Sequence, residues 1–158
     1  MATATAIPGI PTALHRGEDE IPFVDIGDGS TLQLLHIDVA KGLWVIRNQF
    51  KPGMKVQRHK HTGEVFAFTT AGSWKYVEYP EVNRAGSYLY EPAGSVHTLS
   101  VPEGNSEDTD VWFAITGANL NLDPDGNVES VLDASAIRDA YFALCEAQSL
   151  PRPNIVCS

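Results

Sequence analysis

Residues 53–72 read GMKVQRHKHTGEVFAFTTAG, with His59 and His61 two positions apart near the start. On a strand successive side chains point to opposite faces, so both imidazoles share one face and Lys60 takes the other. Two histidines on one strand face can grip a single metal ion, although such a pair also occurs on ordinary polar surfaces. Residues 86–97 read GSYLYEPAGSVH. Gly86 starts a strand, Pro92 and Gly94 build a tight turn, and His97 opens the following strand. The turn brings the chain back so that His97 can meet the first pair. Three of the five histidines of the chain thus fall in two short segments.

Outward from these segments the chain reads as short strands divided by turn chemistry. Asp28-Gly29 precedes the run Thr31–Asp38, Lys41-Gly42 separates it from Leu43–Phe50, and Pro52-Gly53 closes that run. Val65–Thr70 ends at Ala71-Gly72, and Ser73–Tyr79, Ser87–Tyr90, Thr98–Val101 and Val111–Thr116 continue the pattern. Short runs rich in β-branched and aromatic residues, punctuated by Gly, Pro, Asn and Asp, predict an all-β sandwich or barrel. Asp123-Pro124-Asp125-Gly126 resembles the start of a calcium loop but lacks the later ligands, so a hairpin turn between Leu120 and Val128 is expected. One helix is predicted, over Ala134–Gln148, with Asp133 or Ser135 as its cap. Its apolar face carries Ile137, Tyr141 and Leu144, and is expected to pack on the outside of a sheet or on a partner subunit.

The length of 158 residues suits one domain with a hydrophobic core. We divide it into an irregular arm (1–20), a β-barrel (21–132), a C-terminal helix (133–148) and a tail (149–158). A net charge of −9 speaks against a nucleic-acid partner, which needs a basic footprint. No apolar run is long enough to cross a bilayer, and the N-terminus lacks the pattern of a secretory signal, so the expected address is cytoplasmic. The two cysteines, Cys145 and Cys157, are read as free thiols.

The spacings of the two histidine segments match the motifs of the cupin superfamily, Gly-x5-His-x-His and Gly-x5-Pro-x-Gly-x2-His. Gly53, His59 and His61 fill the first; Gly86, Pro92, Gly94 and His97 fill the second. The resemblance covers about residues 31–122 and implies a double-stranded β-helix, or jelly-roll, barrel with a metal held by His59, His61 and His97 inside its mouth. The family's first motif usually adds a glutamate ligand seven residues before the glycine that ends the strand. Counting back from Gly72 gives Val65, and Glu64 is one residue off. A one-residue slip turns a strand side chain to the other face. Either the turn is tightened and Glu64 ligates, or the site has three histidines without that carboxylate; the register favours the second.

Over nearly its whole length the chain also resembles the small cupin dioxygenases that cleave carbon–carbon bonds in activated ketones, of the acetylacetone and dihydroxyacetophenone type. LQLLHID (32–38), QRHKHTGEVFAFTTAGSWKYVEY (57–79), GSYLYEPAGSVHTLSVPE (86–103), NLNLDPDGNVESVLD (119–133) and CEAQ (145–148) carry the likeness. It implies a non-haem Fe(II) centre, a ketone substrate bearing an adjacent hydroxyl or second carbonyl, O2 as co-substrate, and a homodimer or higher homo-oligomer. Three neutral imidazoles leave the full +2 charge on such an ion and leave positions open for a chelating substrate and oxygen. The metal would favour the deprotonated form of that substrate. Zinc suits the same ligands but has no redox chemistry. The alternative is therefore a non-catalytic zinc cupin, as in regulators of the ChrR anti-sigma type. These usually add a helical sigma-binding domain, for which this length leaves no room.

The other candidates follow from strand parity. In Ser73–Tyr79, Trp74, Tyr76 and Glu78 share one face. If that face is inward, Trp74 and Tyr76 line a substrate pocket and Glu78 is a base or a partner of a metal ligand; otherwise Glu78 stands in water. Gln57 shares the histidine face and is a further pocket candidate. Glu91 either holds its loop or is solvated, with solvation favoured. His36 lies in an apolar strand and reads as a structural histidine. Phe66, Phe68, Trp112 and Phe113 are assigned mainly to the core.

Overall fold

The computed structural model describes residues 7–158. Strands dominate, in the order β1 (Val24–Asp25), β2 (Ser30–Asp38), β3 (Leu43–Phe50), β4 (His59–His61), β5 (Val65–Ala71), β6 (Ser73–Tyr76), β7 (Asn83–Arg84), β8 (Tyr88–Glu91), β9 (Val96–His97), β10 (Leu99–Ser100), β11 (Thr109–Thr116), β12 (Asn119–Leu122) and β13 (Val128–Leu132), before the helix α1 (Ala134–Ala147) and a last short strand β14 (Val156–Cys157). The larger sheet runs β1-β2-β3-β11-β5-β8, with β14 also paired to β2. The facing layer consists of a four-stranded sheet, β13-β12-β4-β9, and a three-stranded sheet, β10-β6-β7. This is the jelly-roll arrangement expected of a cupin, all-β with one C-terminal helix.

Alternation builds the larger sheet. In β3, Trp44, Ile46, Asn48 and Phe50 are buried while the residues between them are half-exposed. In β5, Val65, Ala67 and Thr69 are buried and Phe66 and Phe68 are exposed. Inward residues of these strands make the core with Val111, Phe113 and Ile115 of β11. The chain passes between layers at Thr62-Gly63-Glu64, where a β-carbon on Gly63 would stand 2.2 Å from the carbonyl oxygen of Thr116. Only glycine fits that crossing.

The hairpin expected at Asp123–Gly126 forms, with Asn119–Leu122 paired antiparallel to Val128–Leu132. Asp133 caps α1, its side chain accepting from the Ala136 amide at 2.8 Å. The helix packs on β1, β2, β3 and β13. Its Ile137 and Tyr141 are buried, so the apolar face closes this chain's own barrel. The segment 149–158 is tied down as well, because Val156 and Cys157 pair parallel with His36 and Ile37. His36 Nε2 lies 2.8 Å from Ser158 Oγ. Both cysteines are free, Cys145 buried and Cys157 exposed. Among the described residues, no helix is long and apolar enough to cross a membrane.

Two assignments are corrected. Phe66, Phe68 and Trp112 are 37%, 55% and 38% exposed and face outward, whereas Phe113 is core. The strand beginning at Ser73 ends at Tyr76 rather than Tyr79, closed by a turn in which the Tyr79 amide donates to the Tyr76 carbonyl at 3.2 Å.

Candidate metal centre

β4 has the burial pattern in–out–in, so His59 and His61 point inward and Lys60 outward. The Pro92–Gly94 turn returns the chain to β9, where His97 pairs directly with His59. The hinge holds because the Gly94 amide donates to the His61 carbonyl at 2.7 Å. The three rings lie 4.8, 5.0 and 5.1 Å apart between centroids. Their candidate ligand atoms all fall within 4.8 Å of one another, and all three residues are buried.

The polar surroundings define how each ring is held. His59 Nδ1 donates to the Gln57 carbonyl at 2.8 Å, which leaves Nε2 as the nitrogen with a free lone pair. Burial, reinforced by the neighbouring His61 and His97, lowers the His59 pKa to about 4, against the raising effect of the Gln57 carbonyl. The ring is therefore neutral near pH 7, the form that binds a metal. His97 stacks on Tyr76 with ring centroids 3.7 Å apart and planes 17° from parallel.

Glu91, at the inward end of β8, is the residue that sequence reasoning missed. It is 3% exposed. Its Oε2 stands 2.9 Å from His61 Nε2 and 3.3 Å from His97 Nε2. Its Oε1 accepts the hydroxyl of Tyr76. Burial raises the Glu91 pKa, but the two imidazoles beside it outweigh this and pull it down to about 2, so the carboxylate is ionised. Burial, and then the charge of Glu91, raises the Tyr76 pKa well above its usual value, so Tyr76 remains a donor. Alternation could have found Glu91: Tyr88 and Tyr90 point out, so Glu91 points in.

His61 Nδ1, His97 Nε2 and Glu91 Oε2 are buried without a hydrogen-bond partner. The close approaches of Glu91 Oε2 to the imidazoles therefore lack hydrogen-bond geometry. Buried polar atoms rarely stay unpaired. A cluster of three histidines beside an ionised carboxylate is a donor set suited to a divalent cation, and that cation would satisfy these orphans.

His59 and His61 line a cavity of about 340 Å³ between the layers. Its walls are mainly apolar, from Trp44 and Ile46 to Phe113 and Leu99, and Ile137, Tyr141 and Leu144 of α1 line it as well. Asn119 lies across the strand pair from His61, lines the cavity, and has an Oδ1 atom that is buried and unpaired.

The remaining candidates sort clearly. Tyr76 lines the cavity. Trp74 is fully buried and gives its indole N–H to Thr69 Oγ1 at 2.9 Å, so it is core rather than pocket wall. The Gln57 side chain is exposed and donates to the Leu122 carbonyl at 3.0 Å; only its backbone reaches the site. Glu78 does not face the histidines. β6 has ended before it, and the exposed carboxylate accepts from the Thr98 amide at 2.8 Å and the Thr98 hydroxyl at 2.9 Å. It steadies the backbone after His97 and is not placed as a base. Glu64 shares the outward face of Phe66 and accepts from the Tyr90 hydroxyl at 2.8 Å, away from the cluster.

A jelly roll with an inward histidine cluster at the end of an apolar cavity defines a metal-site cupin. The chain belongs to the family of ChrR cupin-like domains, whose model matches residues 14–119. Solved structures agree. A protein of unknown function with a cupin-like fold from Ralstonia eutropha is 32% identical, with a TM-score of 0.86 and 96% of each chain covered. A second, RmlC-like cupin from Ralstonia eutropha is 28% identical, with a TM-score of 0.84, covering 93% of this chain and 95% of that one. An acetylacetone dioxygenase from Acinetobacter johnsonii is 19% identical, with a TM-score of 0.71, covering 91% and 99%, and shares the fold. Among curated proteins, no sequence matches the chain.

Proposed function

We propose that the chain is a non-haem Fe(II)-dependent dioxygenase that cleaves a carbon–carbon bond of an activated ketone, of the hydroxyacetophenone or β-diketone type, with O2. One observation carries the reading: His59, His61 and His97 form a buried cluster with unpaired nitrogens, and His59 and His61 line a mainly apolar cavity of about 340 Å³. A purely structural metal site is closed by its ligands, whereas a site facing a cavity can admit a substrate. Iron(II), when bound, would supply a Lewis acid for the ketone oxygens and a redox partner for O2.

The protein's own residues divide the remaining work. His59 is held in one tautomer by the Gln57 carbonyl. Glu91, fixed by Tyr76, places one negative charge beside His61 and His97. That charge offsets part of a cation's charge and orients the two imidazoles. Asn119 offers an unpaired carbonyl oxygen beside the histidines, where it accepts a hydrogen bond from a substrate hydroxyl. Trp44, Phe50 and Phe113 supply apolar walls for the tail of the ketone and exclude water. Both atoms of O2 end in the two cleaved products.

The family match favours one second reading, a non-catalytic zinc-binding cupin of regulatory, anti-sigma-like type. Oxygen uptake separates the two. Protein loaded with Fe(II) without air and mixed with β-diketones or hydroxyacetophenones is expected to consume O2 in step with the ketone, and the His97→Ala variant is not. Full iron occupancy without ketone-dependent uptake supports the zinc reading.

A further inference from the structure

Away from the histidines, one buried polar side chain of the cavity wall has little to do for the fold. Asn48 points inward in the alternation of β3, is 8% exposed and lines the cavity. Its ladder partners, Leu32 on β2 and Val111 on β11, are apolar. Its Nδ2 donates to the Thr31 carbonyl at 3.4 Å, a long contact. Among the described residues no donor reaches its Oδ1. An apolar side chain would fill this place without the cost of desolvating an amide. Ligand pockets, by contrast, are apolar surfaces in which a few placed polar groups fix orientation.

The position of Asn48 separates it from the metal centre. Trp44 marks the part of β3 near the histidines: its indole N–H donates to the Gly117 carbonyl at 3.0 Å, and the nearby Asn119 pairs with His61. Asn48 lies further along β3, roughly 13 Å from Trp44 at the rise of a strand. A molecule held at the histidines reaches it only across an apolar body, for which an aromatic ring has the right extent.

Charge fixes the kind of group that Asn48 can receive. No lysine or arginine lines the cavity, and its one acidic residue is Asp28. That carboxylate already accepts from the Ser30 amide at 2.9 Å and the Ser30 hydroxyl at 2.6 Å. An anionic tail would lose its hydration here and meet no cation. With Nδ2 directed at Thr31, Asn48 offers a carbonyl oxygen, whose complement is a hydrogen-bond donor.

We infer that Asn48 is a specificity-determining residue that accepts a hydrogen bond from an uncharged donor, a hydroxyl or N–H, on the end of the substrate remote from its ketone oxygens. The inference deepens the dioxygenase reading and rests on it for which end of the substrate lies at the histidines. A short alkyl diketone leaves Asn48 unpaired; a ketone that carries the donor across a ring satisfies it.

Calorimetric titration of zinc-loaded protein tests this, because zinc holds the ketone end without redox turnover. The ligands are 1-phenylbutane-1,3-dione and its ring derivatives bearing a 4-hydroxyl, a 4-methoxyl or a 4-carboxylate. The wild type is expected to bind the hydroxyl derivative at least about tenfold more tightly than the other three. Asn48→Val, which suits a strand, is expected to lose that preference and to bind the unsubstituted diketone as the wild type does. Circular dichroism and zinc content report that the variant folds. Equal wild-type affinity for the hydroxyl and methoxyl derivatives overturns the inference, as does tightest binding of the carboxylate or no binding of any of the four. A preference that survives Asn48→Val, or an equal loss of all four ligands in that variant, overturns it too. If Fe(II)-loaded protein takes up no oxygen while the hydroxyl preference holds, only the dioxygenase reading falls; if uptake occurs without the preference, only the role of Asn48 falls.

Discussion

At the scale of single residues, the site is a matter of which way a few side chains point. His59→Ala, His61→Ala and His97→Ala are each expected to abolish stoichiometric metal, read by elemental analysis of purified protein. Glu91→Gln keeps the shape and removes the charge beside His61 and His97. We expect it to weaken metal binding by about 10- to 100-fold, measured by competition with a chromogenic chelator; affinity equal to wild type would remove Glu91 from the site. Glu78→Gln should retain both metal and turnover, because Glu78 binds Thr98 at the surface. The histidine parity was legible because His59 and His61 sit within one strand, where alternation cannot slip. The parity assigned to Glu78 failed because it was carried past Tyr76, where β6 gives way to a turn. Glu91 was legible in principle, yet an acid before a proline turn reads as solvated unless the inward parity of Leu89 and Glu91 is followed to the strand's end.

At the scale of elements, two features hold the sheets in register. Gly63 lets the chain cross from β4 to β5 against Thr116, and Gly63→Ala, which forces a β-carbon to within 2.2 Å of that carbonyl oxygen, is expected to cost about 2 kcal/mol in urea unfolding. The second is Asp110, which binds Arg47 through both oxygens and accepts from Gln49 and Thr70. Burial raises its pKa, but the hydrogen bonds from Arg47, Gln49 and Thr70 outweigh it and hold the carboxyl below its usual 3.8. A carboxyl with a depressed folded-state pKa stabilises the fold above its unfolded value and loses that contribution as pH falls through the folded value. Wild-type stability should therefore fall below about pH 4. Asp110→Asn should be less stable at pH 7 and flatter across that acid window; parallel curves would contradict this. Most strands could be drawn from turn residues and β-branched runs. The outward turn of Phe66 and Phe68 could not be read from residue type. It follows from the smaller Val65 and Ala67 filling the inner layer of β5.

At the scale of the whole molecule, one cavity is lined both by His59 and His61 and by α1, and an aromatic sheet face lies on the opposite side of the larger sheet. The barrel and its histidine mouth were accessible from two motifs. The closure was not, because an amphipathic helix looks the same in sequence whether it caps its own barrel or a partner's. The pairing of Val156 and Cys157 with β2 gave no signal either, since two residues of parallel strand carry no pattern. The central claim, that this cavity brings a ketone and O2 together at the three histidines, is tested most directly by oxygen-electrode measurement on anaerobically Fe(II)-loaded protein. On addition of a hydroxyacetophenone or β-diketone, we predict saturable uptake of one O2 per ketone cleaved, lost in His97→Ala. Protein with one iron per chain and no ketone-dependent uptake across both substrate types would contradict it.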